Sequence, residues 1–147
     1  MAHVELSLSQ AFVPSAGPST PQETDNFQRW SNAVASALEP CLLIDLHTNI
    51  EAVSVSCCEL LGLGTPEKAV GRPLLKGELR LLDFTAARAE LPEHETEKIP
   101  PLLALSSGRL ARGLLRVRST AAGGSDATVD AIATPVITNG VVAGSLT

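Results

Sequence analysis

The sequence predicts an α+β domain that ends in an antiparallel strand meander, and three observations carry that prediction. Residues 111–118 alternate, with Ala111, Gly113, Leu115 and Val117 on one parity and Arg112, Leu114, Arg116 and Arg118 on the other. That is the period of a strand with one buried and one wet face. Asn139-Gly140 separates two further strand-like runs, 128–137 and 141–147, and is among the strongest short hairpin signals. Phe27, Trp30, Val34 and Leu38 recur at helical spacing and form one apolar stripe over residues 26–38. A chain of 147 residues has room for one such domain and a tail, not for two cores.

Residues 1–24, with Pro14, Pro18 and Pro21 among Ser, Ala and Gln, have the composition of a tail or linker. The single domain is expected over 25–147. Asp25 with Gln28 three residues on has the form of a capping box for the first helix, and Pro40 closes it. Cys41 to Ile44 reads as a strand, 45–49 as a turn, and Ile50 to Ser54 as the returning strand. Ser56 offers an N-cap for a short helix with Cys57, Leu60 and Leu61, closed by Gly62 or Gly64. Thr65-Pro66-Glu67 can start another helical turn. Gly71-Arg72-Pro73-Leu74 is a bend, and apolar pieces follow from Leu79 to Phe84.

Glu90 to Lys98 reads as a solvated connector. Pro100 and Pro101 suit the first turn of a helix that ends at Gly108. In the hairpin, a two-residue turn pairs Thr138 with Val141. Ala133, Ile137, Val142 and Leu146 then share one apolar face, while Thr134, Thr138, Ser145 and Thr147 share the other with Ile132, Val136 and Val141. Pro135 cannot donate to a ladder and implies a bulge or an unpaired site.

A net charge of -5 argues against a nucleic-acid binder, although Arg109, Arg112, Arg116 and Arg118 lie close together. Three Phe, one Trp and no Tyr leave the core to Leu, Val, Ile and Ala, and disfavour aromatic stacking on a flavin or nucleobase. Cys41, Cys57 and Cys58 form neither a disulfide framework nor a metal spacing. Without a signal peptide or an apolar run long enough to span a bilayer, a soluble cytoplasmic protein is the expectation.

The order strand, turn, strand, short helices, longer helix and three antiparallel strands is similar to that of the PAS family. Asp45 and Ile50 flank the first turn as in many PAS domains. SCCELLG at 56–62, Gly71-Arg72-Pro73-Leu74 and Leu81-Leu82-Asp83-Phe84 resemble successive family segments. The resemblance covers roughly residues 38–147. One departure is that Ser54 or Ser56 stands where the family commonly has an Asn at the end of the second strand.

The resemblance implies an antiparallel sheet of about five strands with short helices on one face and an N-terminal amphipathic helix. It also implies a regulatory sensor or interaction module, not an enzyme. Such domains commonly dimerise through a helix before the first strand, which makes Phe27, Trp30, Val34 and Leu38 the candidate interaction residues. A homodimer or a signalling partner protein is expected; the helix packing across its own sheet is the competing expectation. A small apolar ligand in a Leu/Val/Ile-lined cavity is the alternative function.

No cofactor and no metal are expected. His94 lies in the Glu-rich connector, unlike a haem ligand, and Cys57 and Cys58 lack the context of a flavin-adduct cysteine. No nucleophile elbow, triad pattern or phosphate-cradling loop points to catalysis.

Overall fold

The structure, a computed structural model, describes residues 26–118 and 124–147. The proposed tail and the Asp25 cap lie outside the described residues.

Six strands and five helices are present among the described residues. Helix α1 (Asn26–Ala35) precedes strands β1 (Leu42–Asp45) and β2 (Ile50–Val53). Short helices α2 (Val55–Leu61) and α3 (Pro66–Ala69) follow, then β3 (Leu81–Leu82), α4 (Glu93–Thr96) and α5 (Pro100–Ser107). The meander is β4 (Ala111–Val117), β5 (Ala127–Thr138) and β6 (Val141–Leu146). All strands join one antiparallel sheet in the order β2-β1-β6-β5-β4-β3.

The sixth strand is β3, a two-residue segment in the apolar piece 79–84. Leu81 and Leu82 pair with Val117 and Arg116, a contact between segments distant in sequence that no local pattern announces. The solvated connector also carries a short helix, α4, with no buried residue.

Helix α1 stops at Ala35, three residues short of the sequence expectation. The chain must turn back to enter β1, and the residue before Pro40 is biased away from helical backbone. Leu38 is consequently 93% exposed and does not belong to the buried stripe.

The hairpin turn forms as expected. Asn139 and Gly140 both have positive φ, 53° and 78°, and Thr138 pairs with Val141. Two pairs further on the register slips. Ile137 faces Val142 but Val136 faces Gly144, so Ala143 is an extra residue in β6. The bulge lies on β6 and not on the strand of Pro135, which pairs with Ser145, and the expected common face of Ala133, Ile137, Val142 and Leu146 does not form. Beyond the bulge Leu146 lies opposite Thr134, on the same face as Val136. Ala133 points to the other face, where it packs with Ala104 and Ala111.

Both faces of the sheet are covered in part. The inner face carries α2, α3 and α5 over the main core, which includes Leu42, Ile44, Val53, Leu61, Leu74, Leu79, Leu115 and Val117. The outer face carries α1, whose Val34 packs with Leu43, Ala52, Val136 and Leu146 beside Phe27 and Trp30. Gly144 makes that approach possible: a Cβ there would collide with the Ile44 carbonyl and the Phe27 ring.

The odd positions of β4 point inward as expected, with Ala111, Leu115 and Val117 buried. Helix α5 begins at Pro100 and is capped by Gly108 in the left-handed region, φ 67°.

Candidate functional site: an apolar cavity beside the last strand

The junction of β1, β2 and α2 is organised by Ser54, which is wholly buried. Ser54, not Ser56, is the N-cap of α2: its Oγ accepts from the Cys57 N–H at 3.2 Å. The same Oγ accepts from the Cys41 N–H at 3.0 Å, and the Ser54 N–H donates to the Cys41 carbonyl. Ser56 instead donates to the Leu38 carbonyl at 2.9 Å, which fixes the turn after α1. A serine therefore ties three segments together where an Asn was the family expectation. Gly62, φ 70°, closes α2.

The Gly71-Arg72-Pro73-Leu74 bend is stitched to the start of β2. Ile50 N–H donates to the Arg72 carbonyl, Gly71 N–H to the Ile50 carbonyl, and Leu74 N–H to the Thr48 carbonyl. This seats Leu74 in the core.

These elements border a cavity of about 560 Å³. Its inner wall includes Leu42, Leu61, Leu74, Leu79, Ile99 and Leu115, and Trp30, Ala33 and Val34 of α1 also line it. The lining is predominantly apolar, as expected of a small-molecule site. Thr147 Oγ1, on the wall, is buried without a hydrogen-bond partner among the described residues.

Burial raises all three thiols, of which Cys41 and Cys57 border this cavity. Burial, reinforced by Cys58 and Cys41, pushes the Cys57 thiol up to about 12. Burial raises Cys41 as well, against the lowering hydrogen bond of Ser54, and burial followed by Glu67 and Glu59 raises Cys58. A thiol held this way is a weak nucleophile at neutral pH. The Ser54-capped helix start does not offset burial.

The four expected interaction residues do not stay together. Val34 is buried at 2%, Phe27 and Trp30 pack partly buried on the chain's own sheet, and Leu38 stands apart in solvent. Leu110 and Leu114 are likewise exposed.

Two of the four clustered arginines are engaged within the chain. Arg112 makes a two-point pair with Asp130, 3.1 and 2.6 Å, and Arg116 donates to the carbonyls of Asp83 and Thr85. His94 is exposed and faces Glu95 at 3.5 Å. Among the described residues, no group of three or more His, Cys, Asp or Glu side chains is placed to hold a metal ion. None of the described helices is long and apolar enough to cross a membrane.

A curled antiparallel sheet with short helices over its inner face and an apolar cavity between them defines a PAS-like domain. Comparison with solved structures agrees. A PAS domain from Colwellia psychrerythraea matches with a TM-score of 0.54 and 18% identity, over 81% of this chain and 90% of that one. The PAS domain of an HTR-like protein from Haloarcula marismortui gives 0.50 and 16%, over 86% and 91%. VqmA of Vibrio cholerae, a LuxR-type receptor described as a dimer, gives 0.56 and 18% over 81% of this chain. The match spans about half of VqmA, 48% of its length. No protein-family model and no curated protein matches the chain.

Proposed function

We propose that this domain is a sensory module that takes up a small apolar molecule and reports it through contacts made at α1. The observation that carries this reading is the extent of the cavity. One continuous space is lined by Leu61, Leu74 and Leu115 on the inner face and by Trp30 and Val34 of α1 on the outer face. A ligand that fills it touches the helix directly, so its binding energy can shift the helix between two positions. The unpartnered Thr147 hydroxyl supplies one orienting polar contact in an otherwise apolar lining. VqmA, which shares the fold, has been solved bound to DPO, which supports ligand uptake as a reading of this architecture.

The helix serves as the reporter because only part of it is engaged on its own sheet. Leu38 and the exposed edge of Trp30 are the surface offered to a second copy. VqmA is a dimer, in keeping with this arrangement.

Native mass spectrometry of the protein purified from its own host tests the ligand: a retained mass of a few hundred daltons is expected, and an apo mass in every preparation counts against it. Light scattering tests the contact. Trp30→Asp, if still folded by circular dichroism, should halve the mass of the wild-type species; an unchanged mass removes α1 from the interface.

A further inference from the structure

The apolar cavity has no cation in its lining. The sequence holds 11 Lys and Arg residues, all of them among the described residues, and none lines the cavity. The two charged residues that do line it, Glu39 and Asp130, are both acidic. Asp130 is already paired with Arg112 at 3.1 and 2.6 Å, so that guanidinium is engaged by the chain's own carboxylate. Glu39 is exposed and contributes a negative charge at the rim. The two thiols on the wall sense the same surroundings. Burial raises Cys41, the Ser54 hydrogen bond opposes it and Glu39 raises it further, while burial, Cys58 and Cys41 raise Cys57. None of these influences comes from a cation.

We propose that the cavity, taken as above to be the site of an apolar ligand, accepts electrically neutral molecules and rejects anionic ones of the same shape, long-chain carboxylates in particular. A carboxylate moved from water into this lining loses its hydration and meets no counter-charge. An alcohol or amide of the same length gives up only neutral hydrogen bonds, a much smaller loss. The Glu39 charge adds repulsion, but it stands in water and is screened by salt, so desolvation is the larger of the two effects. The ligand class that fits is therefore an apolar body carrying an uncharged polar group, such as an alcohol, ester or amide.

The single Trp of the chain, Trp30, lines the cavity, so its fluorescence reports occupancy. The test titrates the full chain, first extracted into an apolar phase, with decanol, decanamide and decanoate at about pH 7.5, where the carboxylate is ionised. Native mass spectrometry counts the bound molecules. Decanol and decanamide should bind one per chain, and decanoate should bind at least about tenfold more weakly than decanamide, which differs from it mainly in charge. Glu39→Lys, a change at an exposed position, should narrow that gap by at least about twofold. Decanoate binding as tightly as decanamide overturns the proposal and leaves ligand uptake standing. Binding of none of the three overturns both. A gap that Glu39→Lys leaves unchanged overturns the share given to the rim.

Discussion

At Cys57 the physical chemistry of one side chain sets a property of the whole fold. Its thiol is raised from its ordinary 9.0 up to about 12 because it is buried, with Cys58 and Cys41 adding to the effect. Below about pH 9 folded and unfolded chains both hold the proton, and this group gives stability no pH dependence. Above it the unfolded chain releases a proton that the folded chain keeps, so stability falls as pH rises toward 12. Urea unfolding at about pH 7.5 and about pH 10 should therefore show an alkaline loss that Cys57→Ala reduces. An identical loss in both proteins would mean that the thiol is not shielded. Absence of Tyr removes one competing alkaline titration from the comparison. The same raised thiol makes iodoacetamide labelling of Cys57 slow until the chain unfolds.

At the scale of elements, the Ala143 bulge decides which face β6 presents. It moves Leu146 on to the α1 face and Ser145 to the other, although the hairpin turn alone predicts the reverse. A second alanine inserted after Ala143 shifts Gly144, Ser145 and Leu146 by one place. It removes the glycine from beneath Phe27 and a leucine from the outer core, and should cost about 3–5 kcal/mol. Ala143→Val keeps the residue count and should stay within about 1 kcal/mol. Urea denaturation followed by Trp30 fluorescence separates the two; similar losses would show that register does not matter here.

This bulge marks the limit of what the sequence makes legible. Where one local signal dominates, as at Asn139-Gly140, Pro100-Pro101 or the β4 alternation, the element forms where expected. Ala143 is small and compatible with either face, so only contact with α1 selects the register. The two serines 54 and 56 are equally good caps on paper, and the position of Cys41 decides between them. The inner wall of the cavity was legible as Leu, Val and Ile positions, whereas its lining by Trp30 and Val34 of α1 depends on contacts between segments distant in sequence.

For the whole molecule, the cavity is a half-open, predominantly apolar space between the sheet and the helices on its inner face. It reaches both the core and α1. Ala131 sits on its inner wall, buried on β5 and facing Leu115 and Val129. Ala131→Leu adds three carbons to that wall, which an empty cavity accommodates with a gain of about 1–2 kcal/mol from newly buried apolar surface. If a ligand occupies the space in the purified protein, the same substitution displaces it and forfeits its linkage stabilisation, about 2.7 kcal/mol at a hundredfold excess over Kd. Melting temperature measured with and without prior extraction into an apolar phase distinguishes these cases. The sensory reading expects the extracted protein to gain from Ala131→Leu and the host-purified protein to lose. A substitution that lowers both melting temperatures equally would mean that the space is already filled by the chain itself.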